Sequence, residues 1–235
     1  MNPNSEVILS QVHRALSRAT RAPMPSLPQM PCASGDVNAQ IAMTLAAIEN
    51  VGGLTQRVNS HGEFQDALAE LVRTENVSKA TLWQTRDLQE LGVEETLARL
   101  GVEMVSPHAD KRQLAECDLG ITGADAVLPQ TGTLALRTTP EQPELVSLLP
   151  RVHLAIFRPS ALRADMCAVF AQVKRDKHLV LITGPSRTTD IEKVLAIGVH
   201  GPKALYAWSH TAKRTSGDYP PQLDFCGLAS ARRLA

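Results

Sequence analysis

Aromatic side chains are scarce in this sequence, at 3% of 235 residues, and its 24 basic residues are balanced by 24 acidic ones. A protein dedicated to nucleic-acid binding usually has a basic face and stacking rings, so this composition argues against that function. No stretch approaches the roughly 20 uninterrupted apolar residues of a membrane-spanning helix. The N-terminal stretch MNPNSEVILSQVHRALSRATR lacks the apolar core of a secretory signal, which predicts a cytoplasmic protein.

Cysteine is also rare, and no two cysteines form a C-x-x-C pair. Structural zinc ions and iron–sulfur clusters are usually held by cysteines at such short spacings, so we expect no metal site and no cofactor. Scattered cysteines without an export signal are typical of reduced thiols in the cytoplasm. The cysteines are Cys32, Cys117, Cys167 and Cys226.

Apolar residues are plentiful, at 43% of the chain, which is enough for an ordinary globular core. Residues 5–20 repeat apolar side chains at helical spacing, and the proline-rich stretch from Pro23 to Pro31 favours an extended tether. We therefore expect an N-terminal helix and tether in residues 1–35, an α/β domain in residues 36–210 and a tail in residues 211–235. The tethered helix would suit packing on its own domain or on a second copy in a homodimer.

Strand-like and helix-like segments alternate through the predicted domain. The predicted strands are LTQRV, KATLW, VEMVS, two or three within residues 117–138, VHLAIF, HLVLITG and KALYAW. One predicted helix is capped by Asp36 and stops at Gly52 and Gly53. The other predicted helices cover residues 64–72, 88–100 with a break at Gly92, 160–176 and 190–198. This alternation predicts an α/β fold with a mostly parallel mixed sheet flanked by helices. The run HLVLITG is typical of a strand buried on both faces, and ligands of such sheets usually bind beyond the strands' carboxyl ends.

The segment GPSRTTDIE, residues 184–192, follows an apolar strand and opens a predicted helix. Gly184 would let a ligand approach the backbone closely. Hydroxyl and guanidinium groups that suit phosphate or carboxylate follow it at Ser186, Arg187 and Thr188. A helix N-terminus adds free amides and partial positive charge, so this segment is a candidate anion-binding site.

The alternative for the same segment is a strand–helix junction without a ligand. Thr189 and Glu192 have the spacing of a capping box, in which each side chain accepts from the other's backbone amide. Arg187 would then pair with an internal carboxylate. Asp190, in the first turn of the predicted helix, remains a further candidate for the site.

A second segment, TGADAVLPQTGTLAL at residues 122–136, also combines glycines with polar groups. Asp125 follows a predicted strand, where a carboxylate can face a cleft and act as a catalytic acid or base. Thr131, Gly132 and Thr133 would present backbone amides to an anion. The alternative is that Asp125 caps a turn and that TGT turns a hairpin.

The histidines give weaker signals. His200, in GVHGP after the predicted helix, is a candidate base, and the alternative is that its ring bonds the last helical carbonyls. The other histidines in the domain have no ligand spacing, so we expect surface or internally satisfied side chains. They are His61, His108, His153, His178 and His210.

Two segments resemble the signatures of a known family. The run LITGPSRTTDIEKVLAIGVHGPKALYAW closely resembles the C-terminal signature of the lactate utilization protein C family, in the LUD domain class. The run GITGADAVLPQTGTLALRT is similar to the other signature of that domain. The resemblance covers residues 40–210 and leaves the N-terminal helix, the tether and the tail outside.

The resemblance implies a fold like that of NagB, RpiA and the CoA transferases. It also implies a non-redox component of a lactate utilization system, in which three proteins encoded together are needed to oxidise L-lactate to pyruvate. The other two components of that set carry the iron–sulfur cysteine motifs. The implied partners are therefore iron–sulfur proteins, and the unclustered cysteines of this chain agree with the C component.

One position departs from the family pattern, in which Glu commonly precedes TGT, because this chain has Gln130. An amide cannot act as a general base, so a family role for that carboxylate would not carry over. A more distant likeness relates the G-A-D of this chain to sugar-phosphate isomerases of the same fold class. In those enzymes the aspartate assists proton transfer, which implies Asp125 here by analogy of fold.

Three functions compete at this point. The chain is a non-redox component that works through contact with iron–sulfur partners, or it is a stand-alone enzyme of the isomerase or acyl-transferase type. In the second case Arg187 would hold a phosphorylated or carboxylated small molecule and Asp125 would transfer protons. The third function is a sensor that binds the same kind of molecule without chemistry. The sequence leaves open whether Asp125 and Arg187 share one cleft.

Overall fold

The structure of the protein is a computed structural model that describes residues 3–18, 35–172, 178–188 and 196–211. The chain divides into two compact units, Met1–Met30 and Pro31–Ala235. Helix α1 in the first unit, Pro3–Arg18, confirms the predicted N-terminal helix. Most of the predicted tether and all of the tail beyond residue 211 lie outside the described residues.

The second unit alternates helices and strands, as the sequence predicts. Its helices are α2 (Val37–Asn50), α3 (His61–Thr74), α4 (Arg86–Glu90), α5 (Val93–Arg99), α6 (Lys111–Ala115), α7 (Leu145–Leu148) and α8 (Met166–Gln172). Its first strands are β1 (Leu54–Val58), β2 (Lys79–Leu82), β3 (Glu103–Val105), β4 (Leu119–Gly123), β5 (Ala126–Leu128) and β6 (Thr133–Arg137). The remaining strands are β7 (Val152–Phe157), β8 (Leu179–Ile182), β9 (Arg187–Thr188), β10 (Ala196–Ile197) and β11 (Ala204–His210).

Local sequence signals set several of these boundaries. The Asp36 side chain accepts a 2.8 Å hydrogen bond from the Ala39 amide and caps α2, as predicted. Ser60 caps α3 in the same way, with its hydroxyl 3.2 Å from the Glu63 amide. Gly92 separates α4 from α5 in the left-handed conformation, with φ at 61°, which confirms the predicted break.

A six-stranded parallel sheet, in the order β1-β11-β7-β4-β2-β3, forms the centre of the second unit. It confirms the predicted α/β fold with a mostly parallel sheet. All six residues of β7 are buried, which fits a central strand covered on both faces. The largest side chains that are fully buried include Trp83, Phe64, Phe157, Ile48 and Leu119.

The path of the chain reverses between β2 and β4. From β2 the chain moves outward to β3, then returns past β2 to β4 and continues to β7 and β11. Trp83 follows β2 at this reversal, and its Nε1 donates a 2.9 Å hydrogen bond to the Pro143 carbonyl. Asp125 lies two residues beyond the end of β4, at the same carboxyl edge of the sheet.

Two smaller antiparallel sheets complete the unit. The hairpin β5–β6 pairs with β8 in the order β5-β6-β8, and β9 pairs with β10. The three strands within residues 117–138 are thus β4, β5 and β6, of which only β4 belongs to the large sheet. Most of the predicted site residues lie in the strands of these sheets or in the turns that connect them.

The prediction that HLVLITG is a strand buried on both faces was wrong. Strand β8 is half-buried, with Leu181 42% exposed, and it pairs with β6 at the edge of the small antiparallel sheet. An apolar run shows that a strand is covered in part, but it does not show which sheet the strand joins. An edge strand has one neighbour and is therefore less covered than a central one.

The predicted helix over residues 190–198 was wrong at its C-terminal end. Ala196 and Ile197 form β10 and pair with Thr188 and Arg187. The amide of Gly198 donates a 2.9 Å hydrogen bond to the Ser186 carbonyl, so ladder bonds replace helical ones. The capping box, Asp190 and the start of that helix lie outside the described residues. The predicted helix over 160–176 is described only as a 3-10 turn at Pro159–Ala161 and as α8.

Candidate functional site

Asp125 and Ser186, one from each glycine-containing segment, lie at opposite ends of the parallel sheet. Asp125 lies beyond the carboxyl end of β4, next to Ala124, whose amide donates to the Ile156 carbonyl near the end of β7. Ser186 lies at the amino end, because its amide donates to the Pro202 carbonyl just before β11. A strand of five residues separates these ends by roughly 16 Å at 3.3 Å per residue. The structure therefore does not bring Asp125 and Arg187 into one cleft.

Asp125 is occupied by an ion pair. Its Oδ2 accepts a 2.8 Å hydrogen bond from the Arg137 amide, and its Oδ1 lies 2.7 and 2.8 Å from two nitrogens of the Arg137 guanidinium. The Asp125 amide donates to the Ala135 carbonyl, which ties the residue to β6. These contacts close the open end of the β5–β6 hairpin with charge-assisted hydrogen bonds.

The Asp125–Arg137 pair lines a cavity of about 160 Å³ that we call the ion-pair cavity. Its other lining residues are Ala126, Ala135, Arg163, Val169 and Leu179. Burial lowers the pKa of the Arg163 guanidinium, whose NH1 donates to the carbonyls of Ser160 and Leu162. The charged groups of this cavity thus already contact protein groups.

The TGT segment turns the hairpin, as the alternative from the sequence predicts. The Gly132 amide donates a 2.9 Å hydrogen bond to the Leu128 carbonyl, so it is already used within the turn. Gly132 has φ at 63°, and a Cβ there would lie 2.7 Å from the Ile48 amide nitrogen of α2. Only glycine fits this close packing on the helix. Gln130 and Thr131, before it, are exposed.

Gly184 makes the same kind of contact one turn further along α2. It has φ at 85°, and a Cβ there would lie 3.0 Å from the Val51 carbonyl oxygen. The Arg187 guanidinium donates to that same carbonyl at the end of α2. A chain of hydroxyls joins the two segments, because Thr133 Oγ1 lies 2.7 Å from Thr131 Oγ1 and 2.8 Å from Thr183 Oγ1. Both segments therefore pack around the C-terminal end of α2.

A second cavity of about 160 Å³ lies inside the turn that begins at Gly184, and we call it the His153 cavity. Its lining includes Gly184, Ser186 and His200 from the predicted site, but neither Arg187 nor the TGT turn. The other lining residues are Ser147, Leu148, His153, Val180, Leu181, Ile182, Thr183, Pro185, Gly201, Pro202 and Leu205. Three predicted binding residues are thus brought together around a histidine that the sequence did not single out.

His153 is 1% exposed, and its Nε2 lies 2.9 Å from the Thr122 hydroxyl. Its Nδ1 is buried and has no hydrogen-bond partner among the described residues. Burial lowers the pKa of this imidazole to about 3, so the ring is neutral at physiological pH. A buried polar atom without a partner costs about 1–3 kcal/mol, and in native proteins it usually bonds water or a ligand.

The sequence did carry a signal for His153. It is the one polar residue in VHLAIF, a strand that is buried throughout. Polar groups are rarely placed in such a strand unless they bond something, because their burial is costly. Spacing between histidines, which the sequence analysis relied on, could not reveal it.

A second buried histidine lies at the other end of the sheet. His210 ends β11 and is 6% exposed, and neither ring nitrogen has a hydrogen-bond partner in the described parts of the chain. Its ring contacts the edge of Phe64, with ring centroids 6.3 Å apart. Burial lowers the pKa of His210, and the charges of Arg158 and His61 lower it further.

A polar network holds the amino end of the sheet together. Burial raises the pKa of the Asp118 carboxyl, but hydrogen bonds from Ser78, Lys79 and Arg151 outweigh it and lower that pKa to about 2. Asp118 Oδ2 accepts from both the amide and the hydroxyl of Ser78, at 2.8 Å each. Arg151 Nε donates to Asp118 Oδ1 at 3.1 Å and so links β7 to β4. This network ties together the starts of β2, β4 and β7.

Within the described ranges, no group of three or more His, Cys, Asp or Glu side chains is arranged to hold a metal ion. No helix among the described residues is long and apolar enough to cross a membrane.

Comparison with known proteins places the described domain in a family. A family model described as the LUD domain matches residues 41–207. Lactate utilization protein C of Shouchella clausii is 32% identical over 156 residues, which are 62% of this chain and 68% of that protein. Lactate utilization protein C of Halalkalibacterium halodurans is 32% identical over 160 residues, or 61% of this chain and 67% of that protein.

Two further relatives extend the comparison. An uncharacterized protein of Neisseria meningitidis is 38% identical over 121 residues, and the match spans about half of it, at 52%. A crystal structure of a DUF162 family protein from Deinococcus radiodurans has the same fold, with a TM-score of 0.56 and 18% identity over 75% of this chain and 99% of that chain. The chain therefore belongs to the LUD domain family and, within it, to the group of lactate utilization C proteins.

Proposed function

We propose that this chain is a non-redox component of an L-lactate utilization system and acts with iron–sulfur partner subunits. The observation that carries the proposal is its 32% identity to lactate utilization protein C of Shouchella clausii across 68% of that protein. The sequence supports it, because its cysteines are scattered and suit a component that leaves electron transfer to its partners.

We also propose that the component binds a small anionic metabolite at the amino end of the sheet. Gly184, Ser186 and His200 line the His153 cavity there. The Arg187 guanidinium donates one hydrogen bond to the Val51 carbonyl. Because a guanidinium has five N–H donors, others remain for a ligand. Thr188 lies beside it in β9. Thr131, Gly132 and Thr133 would support this region through the Thr133–Thr183 hydrogen bond rather than touch the ligand.

The alternative of a stand-alone isomerase or acyl-transferase-like enzyme needs Asp125 and Arg187 to act on one molecule. The two residues lie at opposite ends of the parallel sheet, and Arg137 already occupies both carboxylate oxygens of Asp125. The geometry therefore favours a partner-dependent component, and Asp125 is better explained as half of an ion pair than as a free base.

The experiment that tests this function is reconstitution of L-lactate oxidation from purified components. The tagged chain is expressed with the two iron–sulfur components of the same system and purified at physiological salt. We expect the three proteins to purify together and to convert L-lactate to pyruvate with an added electron acceptor. Full oxidation by the two iron–sulfur components alone, or the absence of any association with this chain, would contradict the proposal.

A further inference from the structure

Strand β1 lies at the edge of the large sheet, and β11 is the one strand beside it in the described part of the chain. We propose that two copies of this chain pair through β1, antiparallel about a two-fold axis at Gln56, so that one sheet runs through both copies. All the residues involved belong to the second compact unit. This self-association goes beyond the proposed function and does not depend on it.

The two edge strands of the large sheet differ in how well they are protected against pairing. At one edge, β3 has three residues, Pro107 follows it closely, and Glu103 lies 3.9 Å from Lys79 Nζ. At the other edge, β1 has five residues and no proline, and Leu54 is 48% exposed. Short strands, prolines and charged side chains are the usual protection of an edge. Strand β1 is therefore the edge that is better suited to pair with another strand.

The backbone of β1 has donors and acceptors that point away from β11. The Val58 carbonyl accepts a 3.0 Å hydrogen bond from the Thr211 amide, so Val58 and Gln56 direct their backbone groups to β11. Because consecutive residues of a strand alternate in this direction, Thr55 and Arg57 direct theirs to the open edge. Pairing about Gln56 sets Thr55 of each copy opposite Arg57 of the other. These are the pairs that exchange both N–H···O hydrogen bonds.

Side chains on the α2 side of this edge carry opposite charges. The Thr55 hydroxyl donates to the Glu49 carboxylate near the end of α2, and Arg57 donates a 2.6 Å hydrogen bond to the Asn38 side chain. Neither Glu49 nor Arg57 forms an ion pair within the described residues. Opposite residues of an antiparallel pair have Cβ atoms about 5 Å apart on one face. Arg57 of each copy therefore reaches the Glu49 that is bound to Thr55 of the other.

The charge pattern favours the register at Gln56 over its neighbours. Centring the pair on Arg57 would set two like charges opposite each other, which destabilises strand pairing. Centring it on Thr55 would set each Arg57 opposite Gly53, which lies outside the strand. At Gln56, which is exposed, two uncharged side chains meet on the axis. Of these three registers, this one sets an arginine opposite the residue that holds an acid in both copies.

Helix α2 adds apolar surface beside the same edge. Asn38 and Glu49, which contact β1, lie on one side of the helix. Ala42 and Ala46 are exposed and lie between them on that side at spacings of three or four residues. Small side chains there would let the α2 of a second copy pack alongside at about 8–10 Å between helix axes. Pairing of β1 would thus also remove apolar surface of α2 from water.

Sedimentation of the full-length chain tests the self-association. A concentration series from about 1 to about 100 μM covers the affinities expected of a small interface. We expect the wild type to pass from monomer to dimer over this range. Thr55→Pro should stay monomeric, because proline removes an amide that points to the open edge. An edge strand tolerates proline at such a position, so the fold should persist.

Charge reversal tests the ion pairs. Arg57→Glu should weaken the dimer roughly tenfold or more, because it sets two acids beside each other. The double variant Glu49→Arg with Arg57→Glu exchanges the two charges and should regain most of the lost affinity. Arg112→Glu is the matched control, since it reverses an exposed arginine on α6 and should leave dimerisation unchanged.

Cysteine cross-linking tests the register. On the two-fold axis the two Gln56 residues form a non-hydrogen-bonded pair with Cα atoms about 4.5 Å apart, which suits a disulfide. The two copies of Leu54 would lie roughly 13 Å apart, because each is opposite Val58. Under mild oxidation Gln56→Cys should give a covalent dimer, whereas Leu54→Cys should cross-link no more than the wild type does.

Three results would overturn this assignment. The first is a wild type that stays monomeric at every concentration, which would mean that another segment or another protein covers β1. The second is a dimer that persists in Thr55→Pro, which would place the contact elsewhere. The third is equal cross-linking of the Gln56→Cys and Leu54→Cys variants. None of these results bears on whether the chain associates with iron–sulfur partners.

Discussion

The two cavities of this molecule have the same volume and opposite chemistry. Each measures about 160 Å³, but the ion-pair cavity is lined by Asp125, Arg137 and Arg163, whereas the His153 cavity has no charged lining among described residues. In the ion-pair cavity the carboxylate and the guanidinium satisfy each other. Beside the His153 cavity, the Nδ1 atom of His153 is buried and has no hydrogen-bond partner among the described residues. The difference teaches that a concentration of charge can mark internal bonding, while a single polar atom in an apolar strand can remain unpaired.

The largest expected effect concerns the protonation of His153. Its pKa is about 3 in the folded chain and 6.5 as the ordinary value, so between these pH values the unfolded chain holds a proton that the folded chain does not. Stability therefore falls as the pH drops below 6.5, by up to about 1.4 kcal/mol per pH unit, or about 2 kcal/mol by pH 5.

Urea unfolding at pH 7 and pH 5 checks this expectation. His210, whose pKa is also lowered by burial, adds a slope of the same sign, so the informative quantity is the difference between wild type and His153→Phe. That variant should lose less stability than the wild type between the two pH values. An identical loss in both proteins would show that His153 is not held neutral and would remove the contrast between the cavities.

A smaller effect is expected from breaking the ion pair in the other cavity. Asp125→Ala leaves the Arg137 guanidinium without its carboxylate and should lower the free energy of unfolding by about 1–2 kcal/mol. Adding Arg137→Met should recover part of that loss, because neither charge then remains. Denaturant unfolding of the single and double variants measures the effect.

The same Asp125→Ala protein should support L-lactate oxidation with its partners as the wild type does, because Arg137 already occupies both carboxylate oxygens of Asp125. A loss of L-lactate oxidation with the fold intact would instead return Asp125 to the functional site.

The smallest effect is expected for Arg187. Its guanidinium donates to the Val51 carbonyl at the end of α2, an exposed contact with a helix C-terminus worth about 0.5–1 kcal/mol. Arg187→Ala should lower the melting temperature by a few degrees, and Arg187→Lys should retain most of the stability. If the positive charge of Arg187 also attracts the anion, Arg187→Ala should weaken L-lactate binding by a few-fold, whereas Arg187→Lys should not. A calorimetric comparison of the two variants separates the two roles.

Much of the fold could be predicted from local patterns. The runs LTQRV and VHLAIF coincide with β1 and β7, because turn residues bound each run and apolar residues begin and end it. Gly92 breaks the helical stretch where predicted, since its left-handed conformation suits glycine. What failed depended on pairing at a distance: β10 takes the place of the C-terminal end of the helix predicted over residues 190–198, because Ala196 pairs with Thr188.

The candidate site was predicted less well, and for a related reason. The sequence correctly marked Gly184 and Gly132 as unusual, but it could not show that both pack on α2 rather than approach a ligand. It left open whether Asp125 and Arg187 share one cleft, and strand direction puts them at opposite ends of the sheet. His153 was passed over because its significance depends on which side chains surround it in three dimensions.

The strand order has a consequence for how the chain is made. Strand β1 lies at the edge of the large sheet, and its one neighbouring strand there is β11, where Leu54 pairs with Tyr206. At about 5–20 residues per second, a ribosome needs about 8–30 s to synthesise the chain between those two positions. During that time α2 and β1 have left the ribosome, but β1 has no neighbouring strand to pair with. Its unpaired backbone is exposed to pairing with other chains. The last strand made in the large sheet thus decides when its first strand folds, and slowing synthesis before β11 would lengthen the interval in which the nascent chain can aggregate.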